Sequence, residues 1–137
     1  MGSILSIDYG LKRIGVAFSD PTRTFAFPLG NIENKNFNYV LSKIENIIKE
    51  KEIDLIIVGM PLNMDQTKGE MAIKVESFVK KLKQSISLSM LFFDERLSSF
   101  SATERLKERG LSEKKIKEIV DKETARLLLE EFILSEV

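Results

Sequence analysis

Residues 3–19 of the chain, SILSIDYGLKRIGVAFS, contain two strand-like runs on either side of a short turn. The first run spans Ser3 to Asp8 and the second spans Gly15 to Ser19, and both have the composition and length of β-strands. Gly10 to Arg13 lies between them and is short enough to close a β-hairpin. A third strand is expected from Thr24 to Ile32. The fold is therefore expected to start as consecutive hairpin strands.

The chain after these strands alternates between helical and strand-like patterns. Apolar residues from Phe37 to Ile48 recur at helical spacing, with Lys and Glu between them. Ile53 to Gly59 (IDLIIVG) is almost continuously apolar, as expected of a strand buried on both faces. Met60 to Gly69 is expected to be a loop, and an amphipathic helix is expected from Ala72 onward.

The last third of the chain contains one more strand and two helical segments. Leu88 to Phe93 is the strand, and the helices are expected at Ser101 to Arg109 and Ser112 to Leu134, with Gly110 between them. This order predicts an α/β fold, in which a five-stranded mixed sheet has helices on both faces. No repeat or linker interrupts the pattern, so residues 1–137 are expected to form a single domain.

Composition limits the chemistry available to this chain. Its 137 residues include 21 basic and 21 acidic side chains, so any nucleic-acid site must come from a local patch. The chain contains no Cys and no His, which excludes thiolate nucleophiles, Ser-His-Asp triads and zinc sites built from those ligands. Carboxylates that hold hard cations are then the leading option. No apolar run suits a membrane helix and no signal segment is recognisable, so a cytoplasmic protein is expected.

Asp8 is the first candidate carboxylate. It follows Leu5, Ser6 and Ile7 at the end of the first strand and precedes Gly10. An acid at this position would lie at the edge of the core. The alternative is a turn acid that accepts hydrogen bonds from nearby amides, the commonest role for Asp near Gly. From this position alone, that alternative is favoured.

Asp94 and Glu95 form the second candidate position. They follow the last strand, at the carboxyl end where α/β sheets usually bind ligands. The alternative is the start of a helix, because Asp94 could cap it and Ser101 with Glu104 fits a capping box. Capping explains one acid better than it explains two consecutive ones. Strand alternation places the two side chains on opposite sides.

Asp121 is the third candidate. On a continuous helix, it would head an apolar stripe formed by Ala125, Leu128 and Phe132 and would point toward the sheet. Burial without a partner would cost several kcal/mol, on the order given by transfer measurements, unless a cation or donor met the carboxylate. The alternative is that a helix restarts at Lys122 with Asp121 as its N-cap. Spacing alone does not separate these two interpretations.

These three positions could converge at one end of the sheet. Clustered carboxylates repel one another unless a cation lies among them. Mg²⁺ or Mn²⁺ suits such an all-oxygen site, and two ions could bind the attacking and leaving oxygens of a phosphodiester. Because a bound ion can activate water at neutral pH, no His is required.

Four motifs resemble those of the YqgF/RuvX family, the Holliday-junction-resolvase-like proteins associated with nuclease processing of precursor 16S ribosomal RNA. The resemblance runs from end to end, in the family's order and at its overall length, and four motifs together are highly specific. The matching stretches are Ile7 to Ala17 (IDYGLKRIGVA), Val58 to Asp65 (VGMPLNMD), Asp94 to Ser99 (DERLSS), and Val120-Asp121 with Ala125.

The resemblance implies a ribonuclease H-like fold and three catalytic, metal-binding acids, which correspond to Asp8, Glu95 and Asp121. The family motif, rather than strand geometry, selects Glu95 over Asp94. The resemblance also implies divalent metal and a role in maturing the 5′ end of small-subunit ribosomal RNA. The expected partner is precursor ribosomal RNA or the small ribosomal subunit. One departure is Thr124, where the family often has a small apolar residue.

Three basic residues lie beside the candidate acids and suit a phosphate backbone: Lys12 and Arg13 in the hairpin turn, and Arg96 after Glu95. The alternative for each is a solvated charge or a salt bridge to the neighbouring acid. Glu104 to Lys117 carries a local excess of positive charge, but such runs are usually soluble helix faces. In the loop from Pro61 to Gly69, Asn63 and Lys68 could touch substrate.

Rival functions remain open at this point. An ATPase of the actin and sugar-kinase type also opens with an acid and glycines around phosphates, but that architecture needs two such domains. A DNA-junction resolvase is the second nuclease candidate, and symmetric cutting would require a dimer; a monomer or weak homodimer is expected here. A non-catalytic RNA- or ribosome-binding module is the candidate from another functional class.

Overall fold

The predicted hairpin is present at the start of the fold. The computed structural model describes residues 2–62, 65, 68–94 and 103–136, without the side chains of residues 120–122. Strand β1 (Ser3–Asp8) pairs antiparallel with β2 (Arg13–Ser19), and β2 pairs antiparallel with β3 (Ala26–Glu33). The turn is tight, since a Cβ on Gly10 would lie 2.3 Å from the backbone oxygen of Arg13. Only glycine fits there without moving the backbone.

Two parallel strands complete the sheet. Strand β4 (Ile53–Met60) pairs parallel with β1, and β5 (Ser89–Asp94) pairs parallel with β4. The strand order is β3-β2-β1-β4-β5, which confirms the predicted five-stranded mixed sheet. The carboxyl ends of β1, β4 and β5 consequently meet at one edge of the sheet.

Helices cover both faces, as predicted. Helix α1 (Phe37–Lys51) begins where Asn36 Oδ1 accepts a hydrogen bond from the Tyr39 amide at 2.9 Å, and α2 (Glu70–Ser85) follows β4. Both helices pack on one face, here called the α1–α2 face, over a large aliphatic core. That core includes Ile56 and Leu82, which are fully buried.

The opposite face is covered by the C-terminal helix and has a smaller core. Helix α3 (Glu113–Lys122) begins at its N-cap Ser112, and α4 (Thr124–Ser135) follows it directly. Leu128, Leu129 and Phe132 of α4 pack against the sheet residues Ile4 and Ile57. This side is called the α4 face below.

The prediction of one helix from Ser112 to Leu134 is wrong. Glu123 has φ −119° and ψ 28°, which is not helical, and it separates α3 from α4. Helix α4 packs on β1, β2 and β3. Of the predicted segment Ser101 to Arg109, residues 103–108 are helical, while 101 and 102 lie outside the described residues.

No helix in the described part of the chain combines the length and the apolar character needed to cross a membrane.

Candidate functional site

Asp8 lies in a small cleft at the carboxyl edge of the sheet. It is the last residue of β1, is half-buried, and pairs in register with Gly15 of β2. The cleft has a volume of about 70 Å³. Its walls come from β1, β2, β3 and the start of α4: Asp8, Gly15, Val16, Pro28, Gly30, Asn31, Glu123, Thr124, Ala125 and Arg126. This group is called the Asp8 cleft.

The carboxylate of Asp8 has no polar partner among the described residues. The structure shows neither an ion pair nor a side-chain hydrogen bond from Asp8 to any other described residue. The alternative of a turn acid bonded to nearby amides is therefore not supported. Asp20 shows what such an acid looks like, because its Oδ1 accepts hydrogen bonds from the amides of Thr24 and Phe25 at 2.9 and 2.7 Å.

Gly15 keeps the space beside Asp8 open. A Cβ at this position would lie 3.6 Å from each of three atoms: Asp8 Cβ, Asn31 Oδ1 and Ala125 Cβ. These are ordinary contact distances, so a methyl group would fit but would fill the gap between the acid and the amide oxygen. Two strands and a helix thus approach one another here through a glycine and an alanine.

The start of α4 is fixed to the sheet beside this cleft. The hydroxyl of Ser6, which is fully buried, donates a hydrogen bond to the backbone oxygen of Ala125 at 2.9 Å. The contact links residues 119 positions apart. Because the helix begins at Thr124, this bond sets the position of the α3–α4 junction relative to Asp8.

A network of ion pairs occupies the outer side of the junction. Arg126 Nε lies 3.0 Å from Glu123 Oε1, and its Nη1 lies 2.9 Å from Glu130 Oε2. Arg105 binds Glu130 at 2.7 Å and also contacts Glu131, so the helical segment 103–108 is tied to α4. Glu123 is therefore neutralised by Arg126, and Asp8 is the unpaired carboxylate among the described residues that line the cleft.

The second predicted position is described only up to Asp94. Glu95 and Arg96 lie outside the described residues, and Asp94 is half-buried at the end of β5. Strand β4 separates β5 from β1, so the ends of β1 and β5 are two strand spacings apart, about 10 Å. The topology brings the end of β5, at Asp94, to the same sheet edge as Asp8. The choice between Asp94 and Glu95 stays a prediction.

The third predicted acid, Asp121, lies in the last turn of α3. The prediction that Asp121 heads a continuous helical stripe with Ala125 is wrong, because the helix is interrupted at Glu123. The alternative role of Asp121 as an N-cap is also wrong, since α4 is preceded by Glu123. The backbone of Asp121 is two residues from Glu123, which lines the Asp8 cleft. Its side chain lies outside the description.

Lys12 and Arg13 are exposed next to the hairpin turn. Neither forms an ion pair with another described residue, so the salt-bridge alternative is not observed for them. Arg13 is two residues from Gly15, the register partner of Asp8. Both positive charges are therefore available to an anion that approaches the carboxyl edge of the sheet.

Several of the outer basic residues form ion pairs with neighbouring acids. Within the run from 104 to 117, Arg105 binds α4, and two lysines have acidic neighbours on their own helices. In the loop before α2, Lys68 pairs with Glu76 at 2.8 Å, and Asn63 lies outside the described residues. These contacts favour a structural role for Arg105 and Lys68.

The donor chemistry of the Asp8 cleft suits a hard cation. It offers the Asp8 carboxylate and the Asn31 amide oxygen on either side of the gap that Gly15 leaves. Oxygen donors of this kind are those that Mg²⁺ and Mn²⁺ prefer. Among the side chains that the structure describes, no three acids lie close enough together to hold an ion. Of the two remaining predicted ligands, Glu95 and the side chain of Asp121 lie outside the described part of the chain.

Sequence reasoning missed three contributors to this site: Ser6, Gly15 and Asn31. Ser6 gave a local signal, because it is a polar residue between the buried Leu5 and Ile7. The importance of Gly15 and Asn31 depends on contacts with distant segments, and no local pattern indicated it.

Comparison with protein families gives one match along nearly the whole chain. Residues 2–135 match the RuvX family model, described as Holliday junction resolvase. A Mycoplasmopsis pulmonis protein named "Putative pre-16S rRNA nuclease" is 42% identical over 132 residues, or 94% of this chain and 90% of the relative. A protein of the same name from Maridesulfovibrio salexigens is 36% identical over 130 residues, covering 95% and 96% of the two chains.

Solved structures show the same fold at low sequence identity. The RuvC of Thermus thermophilus in complex with a Holliday junction substrate matches with a TM-score of 0.59 and 12% identity, over 99% of this chain and 96% of that chain. Another T. thermophilus RuvC structure gives a TM-score of 0.58 at 10% identity, over 98% and 95% of the two chains. These matches confirm the predicted ribonuclease H-like fold.

Proposed function

This chain belongs to the RuvX family, and we propose that it is a metal-dependent nuclease that hydrolyses phosphodiester bonds in the 5′-end maturation of precursor 16S ribosomal RNA. The observation that carries the proposal is the state of Asp8. This carboxylate is half-buried and unpaired among the described residues, and it borders a cleft kept open by Gly15. The names of the relatives supply the substrate.

Asp8, Glu95 and Asp121 would hold Mg²⁺ or Mn²⁺ in this proposal. The bound ions would make a water molecule nucleophilic and offset the charge that develops on the phosphate. Asp8 contributes a ligand whose position is fixed by its pairing with Gly15 in β2. The bond between Ser6 and Ala125 holds the α3–α4 junction, and with it the backbone near Asp121, against the same cleft. Glu95 would approach from the end of β5.

Lys12, Arg13 and Arg96 would bind the phosphate backbone of the substrate. Contacts of this kind position the strand without reading its sequence. The exposure of Lys12 and Arg13, and the lack of ion pairs to other described residues, support this role. The proposed partners are precursor ribosomal RNA or the small ribosomal subunit, and the proposed setting is the cytoplasm, with the chain as a monomer or weak homodimer.

A second candidate activity is cleavage of four-way DNA junctions. The description of the matching family model favours it. A direct comparison of a precursor 16S ribosomal RNA fragment with a synthetic four-way junction separates the two activities. Faster cleavage of the RNA supports the first proposal, and faster symmetric cleavage of the junction replaces it with the second.

The decisive experiment is a cleavage assay with and without divalent metal. We expect cleavage with Mg²⁺ or Mn²⁺, none with EDTA, and loss in Asp8→Asn, Glu95→Gln and Asp121→Asn. Removing one group that stabilises transition-state charge typically lowers the rate by about a hundredfold to a thousandfold. Glu45→Gln is the matched control, because Glu45 is exposed on α1 away from the Asp8 cleft.

Nucleic-acid binding by the same variants tests the non-catalytic alternative. Binding with retained folding in Asp8→Asn is expected, since the substitution removes a negative charge without changing the shape of the residue. If the wild-type protein binds RNA but cuts neither substrate with any of several metals, it is a binding module and the nuclease proposal is wrong.

A further inference from the structure

A second cleft lies at the same edge of the sheet as the Asp8 cleft but on the other face, the α1–α2 face. It has a volume of about 240 Å³ and is formed by the residue after Asp8 together with the start of α1 and one side of α2. The residues that line it are Tyr9, Asn34, Phe37, Lys74, Ser77 and Lys81, with Phe78 beneath them. This group is called the Tyr9 cleft.

Aromatic rings form one wall of the Tyr9 cleft. The ring centroid of Tyr9 lies 4.7 Å from that of Phe78, and Phe37 contacts Phe78 edge-on at 6.2 Å. Phe78 is buried, whereas Tyr9 and Phe37 are only half-buried. These contacts fix the orientation of the Tyr9 ring while part of it stays open to the cleft. A fixed, accessible aromatic ring is a surface on which a nucleobase can stack.

Two lysines give this cleft its charge. Lys74 and Lys81 are seven residues apart on α2, so they lie on the same side of the helix about two turns apart. Both are exposed, and neither forms an ion pair with another described residue. No acidic residue is among those that line the cleft. Lys68, by contrast, is neutralised by Glu76.

An ordinary solvated helix face is the simplest alternative for these lysines. It does not account for their pairing with a half-open aromatic wall in one concave site. Aromatic rings combined with uncompensated lysines are the features by which proteins bind single-stranded nucleic acids without sequence preference.

The hairpin turn connects the two clefts. Asn34 donates from its side-chain amide to the Gly10 backbone oxygen and from its backbone to the Lys12 oxygen, both at 2.9 Å. The segment 9–12, with the exposed Lys12, therefore borders the Tyr9 cleft. Asp8 and Tyr9 are consecutive, but their side chains lie on opposite faces of the sheet. A strand with a phosphate at Asp8 would therefore reach Tyr9 by crossing the edge of the sheet at the hairpin turn.

We propose that the Tyr9 cleft binds the single-stranded nucleic acid that continues from the Asp8 cleft, with one base stacked on Tyr9 and the adjacent phosphates bound by Lys74 and Lys81. The inference rests on the proposed nuclease function and specifies its substrate. The segment next to the cleavage position is unpaired, and its sequence is not read in this cleft.

Tyrosine fluorescence tests the stacking contact directly. The chain contains no Trp and two Tyr, so Tyr39→Phe leaves Tyr9 as the only tyrosine. In an Asp8→Asn background, which prevents cleavage, we expect a short unstructured RNA to quench this fluorescence. Tyr9→Leu, which keeps an apolar side chain against Phe78, should weaken RNA binding by between about fivefold and a hundredfold, the scale of one stacked base.

Charge reversal on α2 tests the phosphate contacts. The variant Lys74→Glu/Lys81→Glu is compared with Lys80→Glu/Lys83→Glu, which makes the same change of charge on exposed positions of the same helix outside the cleft. Binding is measured by anisotropy of a labelled RNA across a range of salt concentrations. Loss of two phosphate contacts should reduce the slope of log K against log salt by about 1.4, whereas the control pair should reduce it less.

Three outcomes would overturn the inference. The first is equal binding by the two double variants. The second is RNA binding without any change in the fluorescence of Tyr9. The third is binding of polyglutamate as tightly as RNA, which would make the cleft a general polyanion surface. Wild-type cleavage is measured alongside, so a nuclease that cleaves but gives any of these results keeps its proposed function and loses only this cleft.

Discussion

The two faces of the sheet are built from different kinds of contact. The α1–α2 face is filled by large aliphatic and aromatic side chains from two helices. The α4 face has a smaller core, and near Asp8 its helix approaches the sheet through Gly15, Ser6 and Ala125. The candidate active site lies where the layers are held together by small side chains and one buried hydrogen bond. Changes of similar size on the two faces should therefore have similar effects on stability and different effects on cleavage.

The largest loss of stability is expected for a matched pair of cavity-forming substitutions. Leu82 of α2 and Leu128 of α4 are both fully buried, one on each face. Each Leu→Ala change should lower the free energy of unfolding by about 2–5 kcal/mol. Leu128→Ala should also displace α4 at the Asp8 cleft and reduce cleavage by up to about a hundredfold.

Urea unfolding and cleavage by the folded fraction measure the two effects for this pair. Leu82→Ala is the control, and at saturating RNA, where weaker binding in the Tyr9 cleft does not limit the rate, we expect its folded fraction to cleave at nearly the wild-type rate. An equal loss of cleavage in both variants would show that packing on the α4 face is no more important for cleavage than packing on the α1–α2 face.

A smaller loss is expected when buried serine hydroxyls are removed. Ser6→Ala removes the hydroxyl that donates to the Ala125 oxygen, and Ser19→Ala removes the acceptor of the Ile4 amide. Both serines are fully buried, so each change should cost about 1–3 kcal/mol. Only Ser6 contacts the start of α4.

Cleavage should therefore fall in Ser6→Ala and remain near wild type in Ser19→Ala, when both are measured well below their unfolding temperatures. If Ser19→Ala impaired cleavage as much as Ser6→Ala, the bond to Ala125 would not be what positions the junction.

Gly15→Ala should separate activity from stability. The added methyl group makes only ordinary contacts at 3.6 Å, so the free energy of unfolding should change by no more than about 1 kcal/mol. The same methyl group fills the space between Asp8 and Asn31, so cleavage and metal affinity should fall. Thermal unfolding and Mn²⁺ titration provide the two measurements. A variant with normal cleavage would show that this space is not used.

The sheet and most helices could be predicted because their signals are local. The turn after Asp8, the apolar run from Ile53 to Gly59 and the helical spacing after Phe37 each lie within one short window. Family motifs then led to Asp8, and the structure places this acid in the Asp8 cleft.

The break at Glu123 could not be predicted, because the apolar spacing continues across it. After the break, α4 packs on β1, β2 and β3, and these contacts join segments that are far apart in the chain. The role of Gly15 was missed for a related reason. It depends on Ala125, more than a hundred residues away, and one sequence contains no signal for that contact.

The smallest expected effect concerns Asp20, at the end of the sheet opposite Asp8. Hydrogen bonds from the Thr22 side chain and from backbone amides, including that of Phe25, lower the pKa of Asp20 from 3.8 to about 2. Because the folded-state pKa is depressed, Asp20 stabilises the fold above about pH 4, and this contribution is lost as the pH falls toward 2. Asp20→Asn should therefore lower stability at neutral pH and approach the wild type near pH 2.

Denaturant unfolding of both proteins across this pH range measures the convergence. Cleavage at neutral pH should be the same in Asp20→Asn and wild type, since the residue lies far from the Asp8 cleft. A constant stability difference from neutral pH to pH 2 would contradict the assignment of the low pKa to these hydrogen bonds. A loss of cleavage would instead show that the β2–β3 connection affects the site, and that the functional part of the α4 face extends beyond the carboxyl edge of the sheet.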